Sequence, residues 1–310
     1  MKALTLNGYE GLTSLRLEEV ATPEPGPNDV LVKVAAASVN PVDGKISQGY
    51  GGPASQRKLP HVLGRDGAGT VAKVGSAVTA FQVGDEVFGV ADPTRWGTFA
   101  EYVAMPAATT AKRPKSLSAV DAGSLPIAGL SAWAGIVTTG KLQKGQRVLV
   151  HAGAGGVGSF AVQLAKHLGA WVAATAGPKN IDFVNSLGAD QVIDYTKGDF
   201  AAAVKNIDLV FDLMGGDVRF KSFPVLKPGG VISHISVPPM TQAPPRSDVE
   251  VKAAPVKYDT ALLDQLSDLV TRRAVQPVVT EVFAFGDAKK AFEHVMTGHA
   301  RGKIMLDMTP

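Results

Sequence analysis

The segment His151-Ala-Gly153-Ala-Gly155-Gly156-Val157-Gly158 is where residue type and spacing most clearly prescribe chemistry. Gly153, Gly155 and Gly158 satisfy G-x-G-x-x-G. The pattern is weak alone and strong in context, between a buried strand and an amphipathic helix with another strand beyond. Here Arg147-Val-Leu-Val-His-Ala reads as the strand, and Gly156 to Leu168 places Val157, Phe160, Ala161, Leu164 and Leu168 on one helical face. The first glycine allows a tight turn, the second lets backbone approach a pyrophosphate, and the third lets helix pack on strand. Amides of the first helical turn, including Gly156 and Val157, then face the phosphates. The segment is read as a dinucleotide cradle.

The end of the following strand selects the dinucleotide. A ribose 2′-hydroxyl is usually held by Asp or Glu, ~20 residues after the first glycine. The segment here is Ala173-Ala-Thr175-Ala-Gly177-Pro-Lys179-Asn180, with no carboxylate before Asp182. A Lys179 ammonium and a Thr175 hydroxyl would suit a 2′-phosphate, which favours NADP. The alternative for Lys179 is a solvated lysine at a helix start. Tyr195, after the next strand, is a second candidate at the adenosine end, with an ordinary strand-end tyrosine as the alternative.

These residues need a scaffold of two kinds. Up to about residue 118 the chain reads as short strands punctuated by glycine: Val30–Ala35, Gly69–Val74, Asp85–Val90 and Thr98–Ala104. That pattern suits a small barrel or partly open β-domain. Beyond it, strands at 147–152, 170–175, 191–194, 208–212 and 230–235 alternate with helices. Alternation of this kind predicts an α/β domain with a doubly wound parallel sheet. The division expected is 1–118, completed by 275–310, and 119–274.

Composition narrows the function classes. The 310 residues hold 31 basic and 28 acidic side chains with no like-charged run, so no nucleic-acid footprint is expected. There is no cysteine, which removes disulfides and thiolate-held zinc. The apolar stretch 122–140 is interrupted by Pro126 and several glycines and reads as a buried helix, not a membrane span. With no leader-like stretch after Met1, a soluble cytoplasmic protein is expected.

At this point the chain resembles the zinc-independent quinone oxidoreductase branch of the medium-chain dehydrogenase/reductase superfamily, near the plant enone and alkenal reductases. The resemblance rests on Ser38-Val-Asn40-Pro-Val-Asp43, Leu63-Gly-Arg-Asp-Gly-Ala-Gly-Thr-Val, Val83-Gly-Asp-Glu-Val-Phe-Gly, Gly97-Thr-Phe-Ala-Glu-Tyr, the glycine loop and Ile193-Asp-Tyr195. It implies a GroES-like β-domain built from both chain ends, an inserted Rossmann-type domain, and a homodimer. The zinc branch carries Gly-His-Glu where this chain has Gly64-Arg65-Asp66. No metal site is therefore expected, and Arg65 and Asp66 are read as an ion pair or turn residues.

The resemblance also carries over Asn40, near the nicotinamide, and Ser131, in place of a cofactor-contacting threonine. It aligns Asp43, Lys45 and Tyr50 with the rim of the substrate site. Arg301 or Lys303 could reach the cofactor from the tail. The implied chemistry is hydride transfer from NADPH to a quinone or to the β-carbon of an enone. Asn40 or Lys45 would stabilise the carbonyl oxygen, and Tyr50 or water would supply the proton. Two other readings remain: a non-catalytic NADPH-binding or RNA-binding protein of the same fold, and a thioester enoyl reductase.

Overall fold

The computed structural model describes residues 1–49, 58–235, 238, 240 and 242–309. Its strands are β1 (Lys2–Leu6), β2 (Leu15–Glu19), β3 (Asp29–Val39), β4 (His61–Val62), β5 (Asp66–Val74), β6 (Glu86–Val90), β7 (Tyr102–Pro106), β8 (Thr110–Lys112), β9 (Arg147–Val150), β10 (Trp171–Ala176), β11 (Gln191–Asp194), β12 (Ile207–Asp212), β13 (Leu226–His234), β14 (Glu250–Ala253), β15 (Val279–Ala284) and β16 (Lys303–Asp307). Its helices are α1 (Pro41–Ser47), α2 (Ala119–Gly123), α3 (Leu125–Trp133), α4 (Gly156–His167), α5 (Ile181–Ser186), α6 (Phe200–Ala203), α7 (Gly216–Ser222), α8 (Thr260–Thr271) and α9 (Ala288–Met296).

The chain forms two units. One comprises Met1–Ile127, Tyr258–Thr271 and Pro277–Pro310; the other comprises Ala128–Lys257 and Arg272–Gln276. The first crossing thus lies inside α3, not at residue 118. Helix α8, expected in the second unit, belongs to the first. Its Thr260 hydroxyl sits against the carbonyls of Ala107, Ala108 and Thr110, which fixes the helix there.

The first unit contains a small sheet, β2-β1-β4, and a seven-stranded sheet ordered β15-β16-β3-β5-β6-β8, with β7 also on β3. Strand β3 is buried along most of its length, as its run of valine and alanine requires. Gly67, Gly69 and Gly89 lie inside β5 and β6. A Cβ at Gly69 would stand 2.0 Å from the Lys33 carbonyl oxygen. These glycines let neighbouring backbones approach. The core joins both chain ends: Phe99 meets Phe292 of α9 edge to face at 6.1 Å.

The second unit is a parallel sheet ordered β11-β10-β9-β12-β13-β14. Strand order reverses beside β9, so the crevice favoured by ligands in doubly wound sheets opens where the glycine loop leaves that strand. Leu149, Ala173, Val210 and Phe223 form its core. Among the described residues, one helical stretch, Ala119–Thr139, is long and apolar enough to cross a membrane, yet 72% of its apolar window is buried in the protein.

Candidate functional site

The glycine loop shows a division of labour. A Cβ at Gly158 would lie 2.0 Å from the Ala152 carbonyl oxygen, and one at Gly153 would lie 2.8 Å from the Ala174 side chain. Both glycines are demanded by the protein's own packing. A Cβ at Gly155 would meet only the Ala152 oxygen, at an ordinary 3.5 Å. No packing demands glycine there, so the space it leaves fits a ligand approaching the backbone. Gly155 is the N-cap of α4 and offers no capping side chain. The first-turn amides, Gly156 and Val157 among them, are therefore open to an anion. These features fit a dinucleotide pyrophosphate, with Gly155 and the opening turn of α4 to hold it.

Beneath the loop lies a neutral hydrogen-bonded strut. Ser222 donates its hydroxyl to the Val218 carbonyl at 2.7 Å, so it accepts from His151 Nε2 at 2.9 Å. His151 Nδ1 then accepts from the Thr175 hydroxyl at 3.2 Å. Thr175 Oγ1 in turn accepts from the Ala152 amide at 3.2 Å. Ala152 is in the left-handed region, φ 51°. Such a backbone costs alanine about 1–2 kcal/mol, which this bond helps to offset. Burial pushes His151 down to about 4, so the ring is neutral. The Thr175 hydroxyl, offered from sequence to a 2′-phosphate, is turned inward instead and holds the loop.

At the ends of β10 and β11 the remaining adenosine-side candidates converge. Lys179 is exposed on the short turn Pro178–Asn180. Tyr195 is half exposed, and its hydroxyl lies 3.2 Å from where a Gly177 Cβ would stand. Ser131 is buried in α3. At the end of β12, Asp212 accepts from the Met214 and Gly215 amides and from Arg219 Nε at 2.6 Å. This buried ion pair, missed from sequence, shapes the β12–α7 turn.

The first unit buries a different network. Antiparallel pairing sets Ile304 of β16 opposite Val39 of β3, and Ser38 opposite Asp66 of β5. That register brings Asn40, Asp66 and Lys303 together across most of the sequence. Asn40 donates through Nδ2 to the Ser38 carbonyl at 3.0 Å and to Asp66 Oδ1 at 2.7 Å. Its Oδ1 accepts from Lys303 Nζ at 2.6 Å. Asp66 Oδ2 accepts from the Ile127 amide at 2.9 Å, near the start of α3. Asp43 Oδ2 accepts from the Asn40 amide at 2.9 Å, capping α1, while its Oδ1 is buried without a hydrogen bond.

Burial dominates the electrostatics of this cluster. It pushes Asp43 up to about 7, with Asp66 nearby adding to the rise. It also raises Asp66 and lowers Lys303, against their mutual attraction.

The candidates of the first unit thus scatter. Asn40 and Asp43 are buried together, and Lys45 is exposed on α1. Tyr50 lies outside the described residues. Asp66, read from sequence with Arg65 as an ion pair or turn residues, is a buried acceptor for Asn40 and Ile127, with Arg65 a lesser electrostatic attraction. Lys303, considered for the cofactor, is buried against Asn40. The spacing Asn40-Pro-Val-Asp43 carried the signal for a helix cap; nothing local announced Lys303 or Ile127 as partners.

Known families place this architecture. Residues 26–115 match the alcohol dehydrogenase GroES-like domain, and residues 187–306 match the zinc-binding dehydrogenase family. The chain is 37% identical to the chloroplastic NADPH-dependent alkenal/one oxidoreductase of Arabidopsis thaliana, across 100% of this chain and 80% of the relative. It is 36% identical to the 2-methylene-furan-3-one reductase of Solanum lycopersicum, with the same coverage. Among solved structures, the quinone oxidoreductase of Coxiella burnetii superposes with a TM-score of 0.92 at 34% identity, covering 100% of this chain and 99% of that one. With its GroES-like unit and its doubly wound sheet, the chain belongs to the medium-chain dehydrogenase/reductase superfamily, among the quinone and alkenal oxidoreductases.

Proposed function

We propose that the protein is a zinc-independent, NADPH-dependent reductase of quinones and of the activated C=C bond of α,β-unsaturated carbonyls. The observation that carries this reading is the glycine loop: two glycines serve packing, while Gly155 leaves room for a pyrophosphate. Names of relatives supply the acceptor class: an NADPH-dependent alkenal/one oxidoreductase and a quinone oxidoreductase. Lys179 and Tyr195, with no carboxylate at the end of β10, support a 2′-phosphate over a free ribose hydroxyl.

When bound, NADPH supplies the hydride. The protein's part is to orient the acceptor and to stabilise charge on its oxygen. The zinc-free reading rests on donor chemistry: the chain has no cysteine, and Arg65-Asp66 stand where zinc relatives carry His-Glu. Conjugate reduction needs no Lewis acid, whereas alcohol oxidation is usually helped by one. Among the described residues β14 ends its sheet, which supports a homodimer joined through that strand, and light scattering would test this.

The test is anaerobic NADPH consumption with an ortho-quinone and a vinyl ketone in parallel, and NADH as control. Turnover with NADPH at least about tenfold better than with NADH is expected, and Lys179→Ala should erase most of that preference. Tight NADPH binding without turnover of either acceptor would favour the non-catalytic reading.

A further inference from the structure

The left-handed residue Ala152 is the point on which the glycine loop turns. Its carbonyl oxygen accepts from the Gly155 amide at 3.0 Å, and Gly158 packs against the same oxygen. The next amide, Gly153, donates to the Thr175 carbonyl at 2.9 Å. The direction of the Ala152 peptide therefore decides where Gly155 and the first turn of α4 come to lie. A residue other than glycine keeps a positive φ only where its surroundings impose it.

The strut behind the loop imposes it. Thr175 Oγ1 holds the Ala152 amide, His151 Nδ1 holds the Thr175 hydroxyl, and Ser222 holds His151 Nε2. Thr175, His151 and Ser222 are 5%, 1% and 0% exposed. The His151 ring stands edge-on to Phe200, with centroids 4.8 Å apart, which hinders its rotation. The strut ends on α7, and α7 is itself fastened. Arg219, one turn before Ser222, donates to Asp212 at the end of β12.

The protons of the strut are all spent within it. The one hydroxyl proton of Thr175 goes to His151 Nδ1, and that of Ser222 goes to the Val218 carbonyl. The one ring proton of neutral His151 goes to Ser222. A phosphate calls for donors, and none of the three has one to spare. Their effect on a nucleotide must pass through the backbone they hold.

We propose that Thr175, His151 and Ser222 are positioning residues for the diphosphate. Through the Ala152 amide they fix the bend that presents Gly155 and the opening amides of α4, and they make no contact with a 2′-phosphate. This deepens the dinucleotide reading above and rests on it. Thr175 thus governs affinity for any nicotinamide dinucleotide, whereas the choice between NADPH and NADH lies with Lys179 and Tyr195.

The experiment is titration of the intact protein with NADPH and with NADH, followed by nicotinamide fluorescence. The two share the diphosphate and differ in the 2′-phosphate. Thr175→Val keeps the shape and removes the hydroxyl. It should weaken both by about three- to tenfold, the worth of one hydrogen bond, and leave their ratio unchanged. Thr175→Ser keeps the hydroxyl and should restore most of the affinity for both. Ser222→Ala, at the far end of the strut, should weaken both in equal proportion, and it carries the same comparison should Thr175→Val fail to fold. Ala152→Gly is the sharper control. Glycine takes a positive φ unaided, so in that background Thr175→Val should cost less than about twofold. Thermal unfolding checks that each variant is folded at the titration temperature.

Loss of NADPH affinity alone after Thr175→Val would make Thr175 a 2′-phosphate ligand and overturn the proposal. An undiminished loss in the Ala152→Gly background would overturn it too. Wild-type binding of both nucleotides, unchanged in every variant, overturns the positioning role and leaves the dinucleotide reading standing. A stable wild-type protein that binds neither nucleotide overturns both.

Discussion

Two buried polar networks divide the labour of this protein, and they solve desolvation in opposite ways. Beneath the glycine loop, His151, Thr175 and Ser222 are neutral, and each hydroxyl and ring nitrogen finds a partner. Beside Asn40 the buried groups are ionisable: Asp43, Asp66 and Lys303, with one carboxylate oxygen of Asp43 unsatisfied. A satisfied neutral network stiffens a loop at small cost, whereas buried charge is costly unless it is fully compensated. The first suits a cradle that must keep one shape. The second holds its charge among residues of the first unit.

The contrast predicts unequal damage. Lys303→Met removes the cation from two buried carboxylates and should cost on the order of 3–5 kcal/mol near neutral pH, read by denaturant unfolding. A cost below about 1 kcal/mol would show that the cluster is already neutral. In the loop, Gly158→Ala drives a Cβ into the Ala152 carbonyl and should cost about 3 kcal/mol. Gly155→Ala, which meets nothing closer than 3.5 Å, should leave stability within about 0.5 kcal/mol yet weaken NADPH binding severalfold or more. Equal effects of the two alanines would break the division between packing glycine and ligand glycine.

The two networks should also respond to pH in opposite directions. Burial depresses the folded pKa of His151 to about 4, below the ordinary 6.5 of imidazole. The unfolded chain takes up a proton first, so stability falls as pH drops from 6.5 toward 4. Asp43 has its folded pKa raised to about 7 from 3.8. The folded chain holds its proton longer, so this stability is present below 3.8 and lost as pH rises toward 7. Asp43→Asn keeps the cap to the Asn40 amide and should therefore stabilise the protein at pH 8, by on the order of 2 kcal/mol, with almost no effect at pH 4. Melting curves at the two pH values check this; a gain of equal size at both would contradict it. Thr175→Val, which strands the Ala152 amide and His151 Nδ1, should cost about 1–2 kcal/mol.

How far the sequence reaches follows the same division. The loop was legible because its signal is local: glycine spacing, a strand before it and an apolar helical face after it all lie between 147 and 168. The α/β alternation of the second unit and the return of the tail were legible for similar reasons. Helix α8 was misassigned because periodicity shows which face is buried, not which body buries it. The Asn40 cluster joins positions 40, 43, 66 and 303, and only strand register brings them together. Thr175 was read outward because a hydroxyl at a strand end looks the same in sequence whichever way it points. Arg65, read as an ion-pair or turn residue, stands over the ring of Tyr258, a contact that no local pattern announces.

The most direct test of the account is transfer of deuteride from NADPH labelled at the reactive C4 position to a vinyl ketone, with NMR of the product. The account predicts a saturated ketone carrying one deuterium on the former β-carbon and none on the carbonyl carbon. Deuterium at the carbonyl carbon, giving an allylic alcohol, would show a carbonyl reductase. Together with no oxidation of NADPH by a quinone, it would contradict the assignment.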